Sequence, residues 1–321
     1  NVVAVAHGTG GGRSLMLNGH MDTVSKGDFA EAHRPRLEGG RLYGRGAYDM
    51  KGGLAACMQA IVEAKERGLR GDVILTAVAD EEYASLGTAT VVETVHAEAA
   101  IVAEFTELQM ILAHKGFAWF DIQTTGRAAH GSRPDLGVDA IAHMGRVLVE
   151  LEKLNDSLQS GPAHPLLGRG SLHAGLIRGG QELSSYPEHC PLSVERRTLP
   201  GESPEDVEQE LVQLLRQQRS LDAAFHPDLK RGLYRAPLET PEDSDIARAV
   251  QRAATRVLGH AAPVAGVPFW TDAALLSAAG IPSLLFGPAG AGAHAAEEWV
   301  DIASVEACAA VYLETAVEWC K

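Results

Sequence analysis

At four places in this chain a short apolar run gives way to histidines or carboxylates. Leu15-Met16-Leu17 leads into Asn18-Gly19-His20-Met21-Asp22, the run 73–79 into Asp80-Glu81-Glu82, and Ile101-Val102-Ala103 into Glu104. Leu284-Leu285-Phe286 leads into a glycine-rich loop that holds His294. Gly44-Arg45-Gly46-Ala47-Tyr48-Asp49 precedes a helix-like stretch and adds another carboxylate. Ligands of open α/β sheets bind beyond the carboxyl ends of strands. Negative groups gathered at one such edge repel one another and need a compensating charge, and a divalent metal is the usual one.

Two histidines with three carboxylates suffice for two metals that share one bridging ligand. Imidazole and carboxylate without thiolate suit zinc, with cobalt or manganese as substitutes. His20 and Asp22 are two apart, so on a strand they share a face, and Asp22 could hold one ring nitrogen of His20 while the other turns to metal. Glu81 and Glu82 are adjacent, so their side chains diverge: one could bind metal while the other acts as general base. Taken singly, each residue also has an ordinary reading. Asp49 could cap the helix that follows it, and Glu81 with Glu82 could open a solvated helix. The ordered set is what points to chemistry.

These residues need a scaffold that brings strand ends together. The apolar runs Leu15-Met16-Leu17, 73–78, 99–102 and 283–286 read as buried strands. Between them lie helix-like stretches such as 50–67, which stops at Gly68. That alternation predicts an α/β fold with a mixed, mostly parallel sheet and helices on both faces. The start, Asn1 to His7, reads as a strand, and the glycine-rich stretch after it as a connection.

The middle of the chain differs. A strand is expected at 117–125, a helix over 137–154, strands near 171–178 and 190–197, a helix starting at Ser203-Pro204-Glu205-Asp206, and a last strand near 221–229. The Ser-Pro-Glu-Asp start combines an N-cap, a first-turn proline and acids at the positive end of the helix dipole. This is an inserted α+β domain of β-α-β-β-α-β pattern, a lid or dimerisation domain, placed at 117–232. Residues 1–116 and 233–321 then form the metal-binding catalytic domain, resuming with a helix start at Thr240-Pro241-Glu242-Asp243. The stripe Ile141, Met144, Leu148 and Leu151 is read as core of the small domain.

Composition narrows the functions. The chain has 321 residues, 45% hydrophobic and 22% charged, as expected of globular domains. Its formal charge of −14 makes phosphate-backbone binding a poor fit, so no nucleic-acid partner is expected. No apolar run approaches the 18 or so residues of a membrane span, and Asn1 to His7 lacks the features of a signal peptide. Cys57, Cys190, Cys308 and Cys320 form no C-x-x-C pair, so a disulfide framework is not expected and a reducing, cytoplasmic setting is.

With these residues in hand, the chain resembles the zinc-dependent amidohydrolase and exopeptidase family of acetylornithine deacetylase, succinyl-diaminopimelate desuccinylase, aminoacylase and glutamate carboxypeptidase. The stretches that carry the resemblance are Gly19-His20-Met21-Asp22-Thr23-Val24, the run 44–53 around Asp49, Asp80-Glu81-Glu82, Ala103-Glu104, Ala129-His130-Gly131-Ser132 and Gly292-Ala293-His294. They follow the family's order and span nearly the whole chain.

The resemblance implies roles. His20 and Glu104 would bind one metal, Glu82 and His294 the other, and Asp49 would bridge them. Glu81 would be the general base, with Asp22 orienting His20. His130 would steady the developing oxyanion, often reaching across a dimer. Arg197 and Arg178 would be candidates for a substrate carboxylate, and Ser184 stands where many relatives carry an asparagine near the substrate carbonyl. Family members also have a helical segment and a strand ahead of the stretch that matches Asn1-Val2-Val3.

The reading is a co-catalytic, two-metal hydrolase that cleaves the amide of an N-acyl amino acid and forms a homodimer through the inserted domain. Glu at position 104, where some di- and tripeptidases carry Asp, tilts the resemblance toward a deacylase. A metallo-carboxypeptidase or dipeptidase acting on short peptides is the second reading, and a non-catalytic, truncated relative the third.

Overall fold

The computed structural model describes residues 1–321. Its strands are β1 (Val2–Ala6), β2 (Leu15–His20), β3 (Arg36–Glu38), β4 (Arg41–Tyr43), β5 (Val73–Val78), β6 (Ala99–Val102), β7 (Met110–His114), β8 (Gly116–Thr125), β9 (Ser171–Ile177), β10 (His189–Thr198), β11 (His226–Arg235), β12 (Leu238–Glu239), β13 (Val264–Val267), β14 (Ser283–Leu285), β15 (Gly290–Ala291) and β16 (Trp299–Asp301). The helices are α1 (Gly52–Arg67), α2 (Leu86–Val91), α3 (Ala140–Ser160), α4 (Pro204–Leu221), α5 (Asp245–Leu258), α6 (Ala273–Ala278) and α7 (Ile302–Trp319). The chain forms two compact units. The larger comprises Asn1–His114, Leu238–Val267 and Thr271–Lys321; the smaller comprises Lys115–Pro237 with Pro268–Trp270.

The larger unit is built on an eight-stranded mixed sheet in the order β1-β5-β2-β6-β14-β7-β12, with β13 beside β7. The strands β5, β2, β6 and β14 run parallel to one another. Their carboxyl ends therefore lie on one edge, which is what the strand-end residues require. All six residues of β2 and of β5 are buried, as the continuous apolar runs imply. The helix α1 ends where Gly68 turns left-handed at φ 62°, a conformation glycine adopts without strain. Its N-terminal turn packs hard on the end of β6: a Cβ on Gly53 would lie 1.9 Å from the Ala103 carbonyl oxygen. A second, four-stranded sheet, β15-β16-β4-β3, completes this unit.

The smaller unit is a four-stranded antiparallel sheet in the order β11-β8-β10-β9, carrying α3 and α4. Its sequence of elements is β-α-β-β-α-β. Ser203 caps α4 by accepting from the Asp206 amide, and the Asp206 carboxylate reaches back to the Ser203 amide. The core joins Phe120, Ile122, Met144, Val147, Leu192, Leu211 and Phe225.

Three local expectations shift. The last strand is not at 221–229 but at β11, because α4 keeps its helical spacing of buried Leu211, Leu214, Leu215 and Gln218 out to Leu221. The helix after the small unit starts at Asp245 rather than near Thr240. Ser244 caps it through the Ala247 amide, while Thr240 donates to the Leu112 and Ser283 carbonyls of the sheet. Of the stripe on α3, Met144 and Leu151 are buried but Ile141 is 45% exposed, and the inward face is completed by Ala140, His143 and Val147. No helix is long and apolar enough to cross a membrane, and all four cysteines are free and buried.

Candidate metal centre

Three of the expected ligands, His20, Glu82 and Glu104, sit at or just beyond strand ends of the parallel group, and Asp49 and His294 reach them from loops. His20 closes β2, Glu81 and Glu82 follow β5, and Glu104 follows β6. His294 lies in the loop between β15 and β16, with its backbone in the left-handed region at φ 62°. Asp49 stands in an irregular turn ahead of α1, entered through Gly46 at φ 81°, and the Asp49–Met50 peptide is cis.

The side chains converge as two overlapping donor sets. His20, Asp49 and Glu104 offer atoms all within 4.8 Å of one another, and so do Asp49, Glu82 and His294. Asp49 belongs to both. Its Oδ1 lies 3.1 Å from His20 Nε2, and its Oδ2 lies 3.1 Å from His294 Nε2. Glu82 Oε2 is also 3.1 Å from His294 Nε2, and its Oε1 accepts from the Val24 amide. Glu104 Oε1 is 3.8 Å and Glu81 Oε2 4.0 Å from His20 Nε2.

The orientation of His20 is fixed from behind. Its Nδ1 faces the Asp22 main-chain oxygen at 3.1 Å and the Asp22 carboxylate at 3.6 Å. The same carboxylate accepts from the amides of Glu81 and Glu82, each at 3.3 Å. Asp22 thus ties the His20 ring to the turn that carries both glutamates. This assigns the proton to Nδ1 and leaves Nε2 to face the cluster.

Charge in this cluster is out of balance. Burial pushes Glu104 up to about 8, with Asp49 and Asp272 adding to the rise. Burial, helped by Glu104 and Asp272, pushes Glu81 well above the usual carboxylate range, and burial also raises Glu82. Burial opposes the charged form of His20, yet hydrogen bonds to Asp22 and Asp49 and the charges of Glu104 and Glu81 outweigh it and hold the ring at about 12. Asp49 is held at about 2, its burial outweighed by His20 and His294. A pair of histidines does not neutralise four buried or half-buried carboxylates. A donor set of imidazole and carboxylate with surplus negative charge and a shared carboxylate fits a pair of divalent cations. His20, Glu104, Asp49, Glu82 and His294 are the residues able to hold them.

Two buried carboxylates of the site escaped the sequence reading. Asp272 is 1% exposed and accepts from Thr88 Oγ1 at 2.6 Å. Burial pushes it up to about 6. Glu298 is fully buried and accepts from the amides of Gly46, Tyr48 and Asp49. β13, which precedes Asp272, runs against the parallel group, so the strand-end logic does not point to this residue. Glu298 carries no such signal either.

The remaining candidates belong to the smaller unit. His130 is exposed, with Nδ1 2.8 Å from Ser132 Oγ, and its backbone bridges to Ser185. Arg178 lines a cavity of about 450 Å³ together with Gly180, Gln181, Tyr186 and His189. Ser184 is exposed and its carbonyl accepts the Gly131 amide at 2.6 Å. Arg197 pairs with Glu195 and lies over the Phe117 ring at 5.5 Å.

Fold and donor set define a class: an α/β protein with two clustered metal-ligand sets sharing a carboxylate at one sheet edge. Residues 16–318 match the model of peptidase family M20/M25/M40, and the chain belongs to that family. It is therefore a hydrolase of a metal-dependent family. It is 32% identical over 331 residues to the acetylornithine deacetylase of Myxococcus xanthus, covering 100% of this chain and 84% of that protein. Among solved structures it is similar to aminopeptidase PepT from Bacillus cereus, with a TM-score of 0.82 at 18% identity over 99% of this chain and 84% of the other. It is also similar to a dinuclear metal-binding M20 peptidase from Bacillus subtilis, with a TM-score of 0.74 at 16% identity over 99% and 84% of the two chains.

Proposed function

We propose that this chain hydrolyses the amide bond of N-acyl amino acids, releasing a carboxylate and a free amine, with His20, Glu104, Asp49, Glu82 and His294 holding two zinc ions. The observation that carries this reading is the pair of donor sets sharing Asp49, with Glu81 beside them. The 32% identity to an acetylornithine deacetylase supports the deacylase over a peptidase. Bound there, the ions would polarise the scissile carbonyl and lower the pKa of the attacking water.

The chain's own residues do the rest. Glu81 takes the proton from the attacking water and returns it to the leaving nitrogen; its carboxylate stands beside the donor sets, with Oε2 4.0 Å from His20 Nε2. Asp22 keeps His20 oriented. His130 steadies the developing oxyanion, and Arg178, Arg197 and Ser184 are candidates for substrate contacts. His130→Ala is expected to slow turnover about 100-fold or more, with little change in Tm. Equal activity in that variant removes His130 from the mechanism.

A homodimer through the smaller unit is supported by β9, which lies at the edge of its sheet with Leu176 and Ile177 exposed. Four free, buried cysteines support a reducing, cytoplasmic setting. The test is amine release from a panel of N-acetyl and N-succinyl amino acids and dipeptides, before and after chelation. Activity lost on chelation and restored by zinc, on acyl amino acids, is the expected result. Cleavage of peptides alone would make the chain a peptidase, and silence with both ions bound would make it non-catalytic.

A further inference from the structure

The turn that carries Asp49 is folded around a buried carboxylate that is not itself in either donor set. Glu298 Oε1 accepts from the Tyr48 amide at 2.9 Å and the Asp49 amide at 3.0 Å. Its Oε2 accepts from the Gly46 amide at 3.0 Å and from Arg45 Nη1 at 2.8 Å. The Glu298 main-chain oxygen accepts the Gly44 amide as well. Three amides aimed at one point make an anion-binding concavity, and here the chain fills it with its own side chain. Asp49 and Met50 depart from helical geometry within this turn, at φ −113° and −127°. Nothing local in an α-helix would hold them there.

Arg45 extends the same device to the other half of the site. Its side chain is 3% exposed, and its Nη2 donates to the Ala295 main-chain oxygen at 2.7 Å. Ala295 follows His294, whose backbone sits in the left-handed region that costs a non-glycine residue energy. One ion pair therefore fixes the backbone beneath the shared carboxylate and the backbone beside a histidine donor. Charge-assisted hydrogen bonds of this kind are short, directional and about twice as strong as neutral ones.

We propose that Glu298, locked by Arg45, is a positioning residue that sets Asp49 and His294 for metal. The inference rests on the two-metal reading. Glu298→Gln keeps the shape but replaces one acceptor oxygen by a donor, so an amide of the turn meets another N–H group. Changes to groups that orient metal ligands typically cost about 10–100-fold in metal affinity.

The experiment is zinc binding to the apo protein in competition with a chromophoric chelator, with circular dichroism and Tm of the apo form alongside. Expected for Glu298→Gln is a 10–100-fold weaker zinc site with unchanged secondary structure. Met144→Ala, a core change in the smaller unit, is the control: its Tm falls and its zinc affinity stays that of wild type. Wild-type zinc affinity in Glu298→Gln overturns the proposal. Should that variant not fold, Arg45→Lys, which keeps the charge but loses the second donor arm, decides on the same terms. A wild-type chain that takes up no pair of zinc ions removes the two-metal reading and this inference together, whereas wild-type uptake with unchanged variants removes the inference alone.

Discussion

Both units bury charge, and they treat it in opposite ways. In the smaller unit, Arg196 is fully buried on β10, and its guanidinium meets Glu202 at 2.6 Å, Glu210 at 3.3 Å and the Arg197 carbonyl. Glu202 is itself engaged by the Leu199 amide. Each nitrogen of that guanidinium has a protein acceptor, and the carboxylates keep contact with solvent. At the strand ends of the larger unit, carboxylates outnumber the available cations, and burial pushes Glu104 and Glu81 toward their neutral forms. A buried cation met by carboxylates that reach water holds an element in place; surplus charge of one sign, left buried, is a site prepared for something the chain does not itself supply.

That contrast can be broken at several points. Arg196→Ala takes the guanidinium away from two half-buried carboxylates, Glu202 and Glu210. It should cost about 3 kcal/mol in urea unfolding, at the low end for a broken buried pair because Glu202 and Glu210 still reach water. An unchanged midpoint would mean the network contributes nothing net. Met144→Ala should cost about 2–3 kcal/mol, since the side chain is fully buried among the strands and helices of the small-unit core. Ile141→Ala, one turn away and 45% exposed, should change stability by less than about 0.5 kcal/mol. Equal losses from the two would place Ile141 in the core after all. None of these three changes should move zinc affinity.

The two regions were also unequally legible in the sequence. The strand-end residues stood out because the apolar runs of β2, β5 and β6 end abruptly in histidine or carboxylate, and that of β14 in the glycine-rich loop of His294. A parallel sheet turns that pattern into proximity. The start of α4 was equally plain, because its capping box is written in consecutive residues. The strand β11 was not, because α4 continues past the point where a strand could have begun, and β11 itself mixes exposed and half-buried positions with little alternation to mark it. The reach of Pro268–Trp270 into the smaller unit has no local sign either: Trp270 donates to the Ala236 carbonyl and meets Phe117 edge-on at 6.2 Å, contacts fixed only by tertiary structure. Glu298 was hidden for the same reason. Its partners are main-chain amides nearly 250 residues earlier in the chain, and amides carry no sequence signal.

Glu81→Ala with metal analysis separates the five residues proposed to hold two ions from the glutamate proposed to move the proton. Turnover and bound zinc are measured on the same sample. Expected are two zinc ions per chain and turnover reduced by about 100-fold to 10,000-fold. Loss of an ion would make Glu81 a ligand, and turnover near the wild-type rate would remove it as the base; either result contradicts the division of labour argued from this site.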